Sequence, residues 1–123
     1  MDIKAKKTIL VAEDDKFYAN VYRRKLELEG YNVVVAENGE IALKLIKVKA
    51  PDLILLDLIM PVMDGFAVLK QLQKDQDLAN IKIIVLSNLG QDEDIEKAKA
   101  LGASEYIIKS NLSINELVDK IKL

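Results

Sequence analysis

The chain has 123 residues, half of them hydrophobic and 31% charged, with 18 basic and 20 acidic side chains and a net charge of -2. That is enough for one ordinary domain with its own core, and it argues against disorder and against the basic face that nucleic-acid binding needs. With neither cysteine nor histidine, disulfides, thiolate or imidazole metal sites and Ser-His or Cys-His catalysis are excluded, so any metal must be held by oxygen, which favours magnesium, calcium or manganese.

Strand and helix patterns alternate five times. Strand 1, about 7–12, runs into Glu13-Asp14-Asp15. Helix 1 follows from about Asp15, an expected N-cap, to Glu29, with Tyr18, Tyr22 and Leu26 in one row, Phe17 and Val21 beside it, and Gly30 placed to end it. Strand 2 is Tyr31 to Ala36, and Asn38 can cap helix 2, whose stripe is Ile41, Ala42, Leu45 and Ile46. Pro51 precedes strand 3, 52–57, which ends on Asp57. Helix 3 starts near Asp64-Gly65 and is expected to bury Phe66, Leu69 and Leu72. A polar loop, Lys74 to Asn80, leads to strand 4, 81–87, ending on Ser87. Helix 4, roughly 91–101, shows Ile95, Ala98 and Leu101 and stops at Gly102. Strand 5, 104–109, ends on Lys109, and helix 5 opens with Ser113 and Glu116 as a capping box before Ile114, Leu117, Val118 and Ile121. Strands 1, 3 and 4 are near-continuous apolar runs, as central strands of a parallel α/β sheet would be. Residues 1–123 are expected to form one domain. No apolar stretch approaches a membrane span, the start Met1-Asp2-Ile3-Lys4 has no signal-peptide core, and Lys4, Lys6 and Lys7 read as a solvated segment. A cytoplasmic protein with no membrane partner is the expectation.

In an open parallel sheet the carboxyl ends of the strands share one rim, where ligands bind. Four of the five strands end there on a polar group. A lone Asp after a strand is more often a turn residue or a cap, and a lone Ser87 or Lys109 a solvated strand end. Glu13, Asp14 and Asp57 together would place three like charges side by side, a costly cluster unless a divalent cation and the Lys109 ammonium relieve it. Magnesium takes one or two carboxylates, waters and a phosphate oxygen. Asp57 is then placed as a nucleophile toward a phosphoryl group, with Lys109 and Ser87 left to take its oxygens.

The ordered motifs Ile9-Leu10-Val11-Ala12-Glu13-Asp14-Asp15, Leu55-Leu56-Asp57-Leu58-Ile59-Met60-Pro61-Val62-Met63-Asp64-Gly65, Leu86-Ser87 and Gly102-Ala103 through Lys109 resemble the receiver domain of two-component response regulators over essentially the whole chain. The resemblance implies a flavodoxin-like (βα)5 sheet in the order 2-1-3-4-5. It implies that Asp57 accepts phosphate from a sensor histidine kinase or phosphotransfer protein, and that the domain promotes its own phosphorylation and dephosphorylation without being a turnover enzyme. Magnesium, or manganese in its place, would be held by Glu13, Asp14, Asp57 and the Ile59 backbone carbonyl. Ser87 would move to the phosphoryl group, Tyr106 would rotate behind it, and Lys109 would hold a phosphoryl oxygen. The helix 4–strand 5–helix 5 face would then bind an output partner or form a dimer on phosphorylation. The alternative is a degenerate receiver acting as an interaction module without phosphorylation.

The chain departs from the family at Ser110, where proline usually follows the lysine, at Asn88, where a small residue is common, and at apolar Ile59 and Leu89 on the pocket rim. A cis bond before a residue other than proline costs about 2.5–4 kcal/mol, so a trans Lys109–Ser110 bond is expected, with Lys109 still reaching the pocket on its four-carbon stem.

Overall fold

The three most apolar runs of the sequence become the three central strands of one sheet. In the computed structural model, which describes residues 6–121 and 123, β1 (Thr8–Ala12), β3 (Leu53–Leu56) and β4 (Lys82–Ser87) are flanked by β2 (Asn32–Ala36) and β5 (Glu105–Ile108). Lys4 lies outside the described residues. Every pairing is parallel and the order is β2-β1-β3-β4-β5, the expected α/β flavodoxin-like arrangement. The crossovers are α1 (Lys16–Leu28), α2 (Gly39–Lys49), α3 (Gly65–Lys74) and α4 (Asp92–Ala100), and α5 (Ile114–Lys120) closes the described chain.

The pleat sends successive side chains to opposite faces, which divides the core in two. Ile9, Val11, Leu53, Leu55, Ile84, Leu86 and Ile107 pack with Tyr22 and Leu26 of α1 and Leu117 of α5. Leu10, Ala12, Ile54, Leu56, Ile83 and Val85 pack with Ala42 and Ile46 of α2, Val68, Leu69 and Leu72 of α3, and Ala98 of α4. Burial on both faces explains why the central strands read as continuous apolar runs.

The helices start where the sequence signals them. Asp15 accepts the Phe17 and Tyr18 amides, Asn38 that of Ile41 and Asp64 that of Ala67, and Ser113 with Glu116 forms the complete capping box. Four details differ from expectation. Phe17 is 70% exposed, because it lies about 140° around the helix from Tyr22. Phe66 is only partly buried, with the Lys97 ammonium 4.3 Å from its ring centre. The Lys74–Asn80 segment is polar in composition, yet Leu78 within it is buried in the core. Strand 5 stops at Ile108, and Lys109–Asn111 forms a 3-10 turn. The Lys109–Ser110 bond is trans, and no cis peptide bond occurs among the described residues.

Candidate functional site

Three charged side chains continue the pleat beyond the last apolar residue of their strands. Glu13 follows Ile9 and Val11, Asp57 follows Leu53 and Leu55, and Lys109 follows Ile107, so all three belong to the face covered by α1 and α5. The ladder carries on as well. The Glu13 amide donates to the Ala36 carbonyl and the Asp57 amide to the Ala12 carbonyl, each at 3.0 Å. Two carboxylates are thereby fixed by backbone on neighbouring strands. The Lys109 ammonium donates to Glu13 Oε1 and, at 3.0 Å, to Asp57 Oδ2. Side-chain exposure is 2% for Glu13 and 8% for both Asp57 and Lys109, so the charges meet in a nearly dry site. Asp57 Oδ1 accepts the Ile59 amide at 3.2 Å, and Glu13 Oε2 the Asp15 amide at 3.3 Å.

Asp14, in the turn after β1, is exposed and completes the acidic set. One carboxylate oxygen from each of Glu13, Asp14 and Asp57 lies within 4.8 Å of the other two. Three carboxylates face one ammonium. Burial pushes the Glu13 carboxyl up to about 7 against the pull of the Lys109 hydrogen bond, and its contact with Asp57 adds to the rise. Burial would lower the Lys109 ammonium, but its hydrogen bonds to Glu13 and Asp57 outweigh that, and it is held above its ordinary value. An all-oxygen donor set with excess negative charge fits a hard divalent cation.

Ser87 and Tyr106 take the other parity. They share the α2–α3–α4 side of the sheet with Ile83 and Val85. Ser87 is fully buried, and its Oγ accepts the Leu89 amide at 3.3 Å. The Tyr106 hydroxyl donates to the Leu89 carbonyl, and burial first, then Asp94, raises its pKa. Both side chains therefore hold the β4–α4 loop. Asn88 Oδ1 in that loop accepts the Ser110 amide at 3.2 Å. Proline has no N–H to give, so the two family departures, Asn88 and Ser110, meet in one hydrogen bond. Of the two apolar rim positions only Ile59 stands free, at 58% exposure, whereas Leu89 packs against the core. Ile59 touches the cluster through its amide.

Several contributors escaped the sequence reasoning. Gly65 lets α3 start against the phosphoacceptor candidate, since a Cβ there would lie 2.3 Å from the Asp57 carbonyl oxygen. Gly39 does the same for the β3–α3 loop, with 2.2 Å to the Met63 carbonyl oxygen. Tyr22 lines the space beneath Glu13 and Asp57 with Val11, Leu55 and Leu86, and burial pushes its hydroxyl up to about 12. The Tyr18 ring centre lies 5.0 Å from the Lys109 ammonium. The signal for both tyrosines was strand parity, which turns Glu13, Asp57 and Lys109 toward the α1 face.

A family model described as the response regulator receiver domain matches residues 9–122. A Guillardia theta protein named probable transcriptional regulator ycf27 is 34% identical over 122 residues, 99% of this chain and 46% of its own length. The chain spans about half the length of the curated relatives it matches. Among solved structures, the Francisella response regulator 1452 receiver domain is 36% identical with a TM-score of 0.85, covering 94% of this chain and 93% of that one. The Vibrio cholerae chemotaxis protein CheY4 is 26% identical with a TM-score of 0.88, covering 95% and 97%.

Proposed function

We propose that this chain, which belongs to the response regulator receiver family of two-component signalling, takes a phosphoryl group on Asp57 from a phosphohistidine of a sensor histidine kinase or phosphotransfer protein. The observation that carries this is a buried carboxylate at a central strand end, bonded to a buried ammonium and flanked by two further carboxylates. An Asp57 oxygen attacks phosphorus as the phosphorus–nitrogen bond breaks, and the imidazole leaves with the electron pair. Lys109 shifts from Asp57 to a phosphoryl oxygen, its charge matching the charge that arrives. Ser87 donates its hydroxyl to another oxygen, which releases the Leu89 amide and loosens the β4–α4 loop. Tyr106, bonded to the same loop, follows. Magnesium or manganese held by Glu13, Asp14, Asp57 and the Ile59 carbonyl would neutralise the phosphoryl oxygens and keep the attack in line.

The domain acts on its own aspartate and turns over no separate substrate, so it is not an enzyme in the ordinary sense. The α4–β5–α5 face carries the change to an output partner or to a second phosphorylated copy. The balanced charge supports no direct nucleic-acid contact by these residues, so DNA binding in a longer regulator of this kind would fall to another part. No described helix is long and apolar enough to cross a membrane, in keeping with a cytoplasmic role. Intact mass after incubation with acetyl phosphate and magnesium should rise by one phosphoryl group in the wild type and not in Asp57→Asn. An unmodified wild type would favour the phosphorylation-independent interaction module.

A further inference from the structure

The Lys109 ammonium has three partners. Two are the carboxylates of Glu13 and Asp57. The third is uncharged, the face of Tyr18, whose ring centre lies 5.0 Å away. That distance is within the range of an ammonium–ring attraction. The ring is itself held in place. It stacks on Tyr22 at 6.0 Å with an interplanar angle of 24°, and Phe17 meets it edge-on at 5.6 Å. Tyr18 is 37% exposed and Phe17 70%. Tyr22 anchors the group below, buried beneath Glu13 and Asp57.

We propose that Tyr18 is a positioning residue for Lys109, holding the ammonium at the mouth of the site when its carboxylate partners are taken up by cation and phosphoryl group. The deduction rests on Asp57 being the phosphoacceptor. In the resting site the Glu13 and Asp57 carboxyl groups fix Lys109. A cation held by Glu13, Asp14 and Asp57 would draw on the same carboxylates and weaken both ion pairs. The ring quadrupole is unchanged by that event, so its share of the restraint rises when the lysine has to meet a phosphoryl oxygen. Lys109 opens a 3-10 turn, and the Ser110 amide donates to Asn88 Oδ1 in an exposed hydrogen bond. Restraint from the α1 side adds to that hydrogen bond. The hydroxyl of Tyr18 has no described part in this, which separates the ring from the phenol.

The test uses the full chain as Tyr18→Leu and Tyr18→Phe. At saturating magnesium, the rate of phosphorylation by acetyl phosphate should fall about threefold to tenfold in Tyr18→Leu, the size of one ammonium–ring contact, and stay within about twofold of wild type in Tyr18→Phe. Independently of any phosphorylation, the Lys109 ε-methylene protons should show an upfield ring-current shift in wild type and Tyr18→Phe and lose it in Tyr18→Leu. An unchanged rate in Tyr18→Leu, equal losses in both variants, or no ring-current shift in the wild type would overturn the proposal. If the wild type takes no phosphoryl group, the phosphoacceptor assignment falls instead, and the ring-current comparison alone decides whether Tyr18 holds Lys109.

Discussion

Replacing Lys109 by methionine keeps the length of the side chain and removes its charge. Glu13 and Asp57 then remain at 2% and 8% exposure without their shared donor. Removing one partner of a buried ion pair costs about 3–5 kcal/mol. That is a large share of the roughly 5–15 kcal/mol that holds a domain together, and at this chain length it lowers the midpoint by on the order of 10–20 °C. The loss should depend on pH. Glu13 is raised from its ordinary 4.5 to about 7, so the folded state binds more protons than the unfolded one in that window, and stability falls as pH rises through it. Without Lys109 the Glu13 carboxyl loses the hydrogen bond that lowers it and rises further. The penalty should be larger at about pH 8 than at about pH 5.5, where Glu13 is protonated with or without the lysine and no longer repels Asp57. Millimolar magnesium should recover part of the loss at the higher pH, because a cation replaces the missing charge. Urea unfolding of both proteins at the two pH values, with and without magnesium, measures all of this. An equal loss at both pH values with no magnesium effect would mean that Lys109 matters for packing and not for charge.

The raised Glu13 carboxyl gives a second outcome: magnesium must displace its proton, so apparent affinity should weaken by about tenfold per pH unit below about 7, and a flat titration profile would remove Glu13 from the metal set. Gly65→Ala places a better helix former at the first position of α3, yet its Cβ meets the Asp57 carbonyl at 2.3 Å. It should lose stability by roughly 1–3 kcal/mol and slow phosphorylation as well, whereas a stabilised, fully reactive variant would show that α3 can move away at little cost. Asn88→Ala and Ser110→Pro should be non-additive by about 0.5 kcal/mol, since either one abolishes their single hydrogen bond, and additive unfolding energies would make that bond irrelevant.

The fold was legible because hydrophobic runs, caps and glycines agreed. Asp15, Asn38, Asp64 and Ser113 all cap the helices they precede, and the apolar runs at β1, β3 and β4 are buried on both faces. The rim residues were legible as strand ends, but their division into two groups depends on the parity of each residue along its strand. Glu13, Asp57 and Lys109 share one face, and Ser87 and Tyr106 the other. Leu78 was lost in a polar stretch because one core residue has no period to reveal it. Gly39 and Gly65 look like helix-start residues in sequence, and only the backbone of a distant loop shows why a side chain would not fit. Tyr18 falls in one row with Tyr22 and Leu26, and a helical row does not show where the sheet edge ends and the charged site begins.

The most direct test of the central claim is to trap the acyl phosphate chemically. After reaction with acetyl phosphate and magnesium, borohydride reduction converts a phosphorylated aspartate to homoserine, and peptide mass spectrometry locates it. The account predicts homoserine at position 57 and nowhere else. Homoserine at position 14, or an unmodified Asp57 in a folded, magnesium-loaded chain, would contradict it.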